Sequence, residues 1–254
     1  MMPVYGRIEP RWMAKERLDV LLVQRGLSPS REKAQRMIMA GEVFSGGTRL
    51  NKASQTFAFD APLEVRAADR YVGRGGHKLE AALKFFSIFP DGWTCLDVGA
   101  STGGFTDCLL QHGAGKVFAL DVGHGQLAWK IREDPRVVVM EHCNARHLQP
   151  GHMPTRARLA VIDVSFISLT LVLPPVTGVL TDGGMIIALI KPQFELSRAE
   201  VGGGGVVRDE SSHRKAVEKI RDFAVNRGWR WAGVTDSPIT GADGNKEFLC
   251  LITP

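Results

Sequence analysis

Cysteine and tyrosine are both scarce in this chain of 254 residues, which holds four of the first and two of the second. Cys95, Cys108, Cys143 and Cys250 stand singly inside apolar stretches, and none forms a C-x-x-C pair. That spacing suggests neither a zinc knuckle nor a disulfide framework, so no metal is expected and a reducing cytoplasm fits. Long apolar runs are missing as well. The longest unbroken one is Met185 to Ile190, far short of the ~20 residues of a membrane-spanning helix. The stretch holding Pro3, Arg7, Glu9, Pro10 and Arg11 has no signal-peptide core, and the expectation is a soluble protein not exported by that route.

What is present is globular in composition, 44% apolar and 23% charged, enough for one sizeable α/β core with a small module attached. The charge is unevenly divided. Residues 1 to 78 carry 14 Lys and Arg against 8 Asp and Glu, whereas residues 79 to 254 carry 18 against 19. The basic excess lies wholly in the first third, the footprint expected of a phosphate-backbone binder.

Within that third, "RLDVLLVQRG" (17 to 26) puts Leu18, Leu21 and Leu22 at the i, i+3, i+4 spacing of an amphipathic helix ending at Gly26. A second helix is expected after Ser28 as cap and Pro29 at its first position, with Ala34, Met37 and Ile38 on one stripe and Arg31, Lys33 and Arg36 left for solvent or a partner. "EVFSGGTRL" reads as a hairpin around Gly46-Gly47, and "PLEVR" as another strand. Two short helices followed by a basic hairpin resemble the S4 RNA-binding domain, although Ser45-Gly46-Gly47 replaces the family's usual Val-Asn-Gly tip. The resemblance implies RNA contacts from Arg17, Arg31, Lys33, Arg36, Arg49 and Lys52, with Arg74 beyond the module. The expected boundaries are an S4-like domain over 15–68, a glycine-rich joint over 69–78 and a larger domain over 79–254.

From Trp93 onward, short apolar runs alternate with helical patterns, which argues a doubly wound parallel sheet buried on both faces. Ligands bind outside the carboxyl ends of such strands. There "LDVGASTGGFTDCLL" ends a strand at Asp97-Val98-Gly99, and Gly103-Gly104 let the backbone turn tightly against a ligand. The next strand, "KVFALDV", ends on Asp121, ~20 residues on, where a carboxylate can hold two ribose hydroxyls. A glycine loop plus a ribose acid serves nicotinamide and S-adenosylmethionine sites alike. Further ionisable groups end later strands: Asp163 after "ARLAVI" and Lys191 after "MIIALI", with Lys78 and Glu247 able to join them.

The larger domain resembles the FtsJ-type ribose 2′-O-methyltransferases, a Rossmann-like fold with a Lys-Asp-Lys-Glu tetrad. With an S4 module in front, the chain resembles the haemolysin A (TlyA) family of ribosomal RNA 2′-O-methyltransferases over nearly all of residues 17 to 252. The strings that carry this are "YVGRGGHKL", "LDVGASTGGFTDCLL", "DVSFISL", "LIKPQFE" and "GNKEF". The resemblance implies a tetrad of Lys78, Asp163, Lys191 and Glu247, and an S-adenosylmethionine site built from Asp97, Gly99, Ala100, Ser101, Gly103, Gly104, Phe105, Asp121, Val122, Asn144 and Asp163. Its implied substrate is a cytidine ribose in ribosomal RNA or a ribosomal subunit.

The chemistry is consistent with that assignment. The cofactor drives the displacement, and the protein must align the ribose oxygen and remove its proton. A lysine of ordinary pKa, ~10.4, is a poor base at neutral pH, and desolvation or a second ammonium improves it. On this view Lys191 is the general base, Lys78 supplies the like charge, and Asp163 and Glu247 orient the ammonium groups and the ribose. Three other readings remain: a non-catalytic ribosome-assembly factor, a nicotinamide enzyme, and a membrane-lytic protein suggested only by the family's historical name. His77, His124 and His213 show no repeated ligand spacing, and Gly202 to Gly205 read as a mobile loop or plain linker.

Overall fold

A computed structural model describes residues 15–66, 69–241 and 243–254. The amino-terminal stretch read above for a signal-peptide core lies outside them, as do residues 67 and 68 at the expected domain boundary. The chain divides into two compact units between Asp69 and Arg70.

In the first unit, β1 (Glu16–Arg17) leads into α1 (Leu18–Gln24) and α2 (Arg31–Met39). The cap of α2 is Ser30, whose hydroxyl accepts from Lys33 N at 3.2 Å. Ser28, the expected cap, instead donates to the Ser30 carbonyl at 3.0 Å. Strands β2 (Val43–Ser45) and β3 (Thr48–Arg49) form the hairpin around Gly46 and Gly47, both at positive φ. β4 (Thr56–Phe57) pairs with β1, and β5 (Leu63–Val65) pairs with β2. The two helical stripes, Leu18, Leu21, Leu22 and Ala34, Met37, Ile38, close over Val43, Leu50 and Leu63 as one apolar core.

The second unit opens with α3 (Gly75–Phe85), so Gly75 and Gly76, expected in the joint, form a helix's first turn. Glycine is required there because a Cβ on Gly76 would fall 2.2 Å from the Tyr71 side chain. Then come β6 (Thr94–Val98), α4 (Gly104–Gln111), β7 (Lys116–Leu120), a short α5 (Trp129–Arg132) and β8 (Val137–Met140). They are followed by β9 (Ala157–Ile162), α6 (Leu169–Thr177), β10 (Leu180–Ile190), a single turn α7 (Pro192–Glu195), α8 (Glu210–Val225), β11 (Arg230–Asp236) and β12 (Phe248–Thr253).

The seven strands lie in the order β11-β12-β10-β9-β6-β7-β8. β8, β7, β6, β9 and β10 are mutually parallel, and β12 is antiparallel to both its neighbours. Leu96, Val98, Ile162, Ile186 and Ile190 face one apolar cluster, while Cys95, Val161, Ile187 and Leu189 face the other. Burial on both faces is why these strands read as unbroken apolar runs rather than as alternation. The order reverses between β6 and β9, which makes their carboxyl ends the ligand-binding crevice of the fold.

Candidate active site

At that crevice two loops meet backbone to backbone. Gly99 has φ +87°, and a Cβ there would lie 2.3 Å from the carbonyl oxygen of Asp163. Only glycine permits this approach. Gly103, at φ +95°, is the cap residue of α4, which begins at Gly104. Asp121, after β7, accepts hydrogen bonds from Ser101 N and Gly123 N, both at 2.8 Å, and so ties its own loop to the glycine loop.

These loops wall a cavity of about 430 Å³ lined by Gly99, Ser101, Asp121, Val122, Asn144, Asp163 and Ile167 among others. A smaller space of about 140 Å³, lined by Gly75, Ala100, Gly104 and Phe105, shares Gly99, Ser101 and Asp163 with it.

Two ion pairs stand at the same strand ends. Lys191 Nζ is 2.6 Å from Asp163 Oδ1 and also donates to Ser165 Oγ at 3.0 Å. Lys78 Nζ donates to Glu247 Oε2 at 2.5 Å. Lys78, Lys191 and Glu247 are all buried. β9 and β10 pair through Ile162 and Ala188, and β10 and β12 through Ile190 and Phe248, so the next cross-strand position sets Glu247 opposite Lys191. The first turn of α3 closes the group, with a Cβ on Gly75 falling 3.9 Å from Asp163 Oδ2.

The FtsJ-like methyltransferase family model matches residues 71 to 253, and the S4 domain model matches residues 16 to 60. The chain belongs to the FtsJ-like methyltransferase family. It is 45% identical over 237 residues to the 16S/23S rRNA (cytidine-2′-O)-methyltransferase TlyA of Mycobacterium tuberculosis, covering 92% of this chain and 88% of that one. To Hemolysin A of Brachyspira hyodysenteriae it is 42% identical over 234 residues, covering 92% and 98%. The solved structure of a proposed hemolysin from Streptococcus thermophilus shares 45% identity at a TM-score of 0.73, over 95% of this chain and 89% of that one. Among the described residues no helix is long and apolar enough to cross a membrane.

In this FtsJ-like methyltransferase the expected cofactor residues line the cavity or the smaller space, except Asp97 and Gly103. Asp97 has no exposed surface. Its Oδ2 accepts from Thr106 Oγ1 at 2.7 Å and its Oδ1 has no side-chain or backbone partner, so it ties the end of β6 to α4. Burial pushes its carboxyl up to about 7, against the Thr106 hydrogen bond and with help from Asp163 and Asp121. The Asn144 side chain, beyond lining the cavity, accepts from Arg146 N at 3.0 Å. Phe105 is buried with its ring beneath Gly75, 3.2 Å from where a Cβ would be.

Lys78, expected to supply a like charge to Lys191, is ion-paired with Glu247. Among the S4 cations, Lys33, Arg36, Arg49 and Lys52 are exposed, while Arg17 and Arg31 both bind Asp19, a carboxylate with no exposed surface, at 3.0 and 2.8 Å. Arg74 donates to the Thr240 carbonyl at 3.0 Å.

Sequence reasoning missed three residues that support this site. Ser165 touches Lys191. Buried Glu195 accepts from Leu169 N at 2.7 Å and Ser168 Oγ at 2.5 Å, with Lys219 Nζ 3.1 Å away, and thereby clamps the segment after Lys191 to the segment after Asp163. Buried Asn245 accepts from Val207 N at 2.9 Å and donates to the Gly205 carbonyl at 3.0 Å, latching the glycine-rich loop two residues from Glu247. The signal for the first two was their place inside "DVSFISL" and "LIKPQFE". Burial pushes the thiols of Cys95, Cys108 and Cys250 up to about 12, which leaves them inert at neutral pH.

Proposed function

We propose that this chain transfers a methyl group from S-adenosylmethionine to a ribose 2′-hydroxyl of ribosomal RNA, with Lys191 as general base. The observation that carries the reading is the Lys191–Asp163 pair at 2.6 Å, because Asp163 is also a wall of the cavity. A proton acceptor is thereby held beside a space of about 430 Å³, within the range of ligand pockets. Lys78 and Glu247 complete the set as groups that orient the ribose.

The cavity suits an adenosyl group. Val98, Leu120 and Ile167 offer apolar walls, the Asp121 oxygens have lone pairs left for two ribose hydroxyls, and Asn144 stands where an adenine edge can be met. Gly99 and Gly104 line the smaller space and, lacking Cβ atoms, let its loops close on the Asp163 carbonyl and on the Gly73–Gly76 backbone, which leaves room there for the amino-acid end. When bound, the donor supplies a carbon electrophilic enough to need no activation by protein. The chain's own task is to hold the ribose oxygen in line and to receive its proton on Lys191.

The exposed cations of the S4 unit supply phosphate contacts. The name of the Mycobacterium tuberculosis relative supports cytidine as the nucleoside and ribosomal RNA as the substrate, and the reading implies work in the cytoplasm, beside ribosomes. The test is transfer of a labelled methyl group to purified small and large ribosomal subunits that lack the modification, with Lys191→Ala in parallel. Label in the RNA for wild type and none for the variant is expected. A chain that binds the cofactor yet labels neither subunit would overturn the proposal.

A further inference from the structure

We infer that Ser165 is a positioning residue for Lys191, fixing the direction in which the amine presents its lone pair. The inference rests on the assignment of Lys191 as general base. Lys191 Nζ has two close oxygen acceptors, Asp163 Oδ1 at 2.6 Å and Ser165 Oγ at 3.0 Å. An ammonium has three hydrogens, but the neutral amine that accepts a proton has two hydrogens and one lone pair. Two acceptors use both hydrogens, and the lone pair is then confined to the one remaining tetrahedral direction.

With Asp163 alone, rotation about Cε–Nζ exchanges the second hydrogen with the lone pair, and the amine spends part of its time facing the substrate with a hydrogen. Ser165 removes that degeneracy. Its own hydroxyl hydrogen is left for water, since Ser165 is exposed while Lys191 is buried. The proton of the ribose hydroxyl then passes to the oriented lone pair and leaves its electron pair on the oxygen that attacks. Ser165 also lies on the wall of the cofactor cavity, so a role in cofactor binding is the competing explanation.

Steady-state methylation of ribosomal subunits by full-length Ser165→Ala, Ser165→Thr, Ser165→Cys and Lys191→Ala separates the outcomes. Ser165→Ala is expected to lower kcat by roughly 10-fold, less than the ~100-fold of a misplaced catalytic group because the amine keeps Asp163 and loses only its fixed rotation, while KM for both substrates stays at the wild-type value. Threonine, which keeps the acceptor, restores kcat. Cysteine, a weak acceptor, does not.

Wild-type kcat in Ser165→Ala, or a loss confined to KM for S-adenosylmethionine, overturns the inference and leaves the base assignment standing. Activity retained by Lys191→Ala overturns the base assignment, and this inference with it.

Discussion

Lys78 Nζ meets Glu247 Oε2 at 2.5 Å across 169 positions of sequence, and neither side chain is more than about a tenth exposed. Removing the carboxylate strands an ammonium in a dry site. Glu247→Ala is expected to lower stability by about 3–5 kcal/mol, whereas the double replacement Lys78→Met with Glu247→Leu recovers most of that loss without recovering methyl transfer. Urea denaturation and a transfer assay on the same samples check both halves. A Glu247→Ala protein as stable as wild type would mean the pair is not sealed in solution.

Asp97 makes stability depend on pH near neutrality. Its carboxyl is raised from the usual 3.8 to about 7 in the fold, so between those values the folded chain holds a proton that the unfolded chain has released. Stability is therefore greatest below about pH 4 for this group and falls as pH rises towards about 7. Asp97→Asn lacks that dependence. The difference in urea midpoint between wild type and variant is expected to shift steadily over that window and then level off. Parallel curves would show that Asp97 titrates as an ordinary carboxyl.

Glu195 ties the segment after Lys191 to the segment after Asp163, and its loss leaves Leu169 N without an acceptor in a buried position. Glu195→Ala is expected to cost about 2–3 kcal/mol, and Glu195→Gln, which keeps one acceptor, about 1 kcal/mol. Thermal or chemical denaturation reads this directly, and an unchanged midpoint in Glu195→Ala would exclude the clamp.

In the S4 unit the sign of the pH effect is reversed. Hydrogen bonding from Arg17, opposed by burial and aided by Gln35 and Arg31, lowers the Asp19 carboxyl below the ordinary carboxylate range. The stability it adds is present above about pH 4 and is lost as pH falls through the folded value. Protection factors for amide exchange at α1 and α2, taken against the intrinsic rate at each pH, are expected to fall on acidification in wild type. In Asp19→Asn they are expected to be low at every pH, with a weaker acid dependence. Equal acid sensitivity in the two proteins would remove Asp19 as the cause.

The sheet and its strand ends were legible because buried parallel strands leave unbroken apolar runs, and because the residue after each run falls at the carboxyl edge. Asp121, Asp163 and Lys191 were found in this way. Lys191 beside Asp163 was legible from the adjacency of sequential strands, but the carboxylate that Lys78 meets was not. Lys78 reaches Glu247 through the packing of α3 against β12, which no local periodicity records. Ser165 and Glu195 were hidden for a related reason, since a hydroxyl two residues past Asp163 and a carboxylate four past Lys191 are ordinary until tertiary structure makes them neighbours. The start of α3 was displaced because Gly75 and Gly76 read as a break. A Cβ on Gly104, the first residue of α4, would lie 3.1 Å from Gly76 N, and one on Gly75 3.2 Å from the Phe105 ring, so small residues let the two helices begin against each other.

β12 lies between β10 and β11 although it follows both in the chain. β11 therefore has no place in the sheet until a later segment arrives to carry it, and Glu247, one residue before β12, reaches Lys78 by the same insertion. A nascent chain that has made every strand but this one holds the glycine loop, Lys78, Asp163 and Lys191, yet has no fixed carboxylate for Lys78. Under the proposed reaction, in which all four groups serve the transfer, competence is tied to the arrival of that strand.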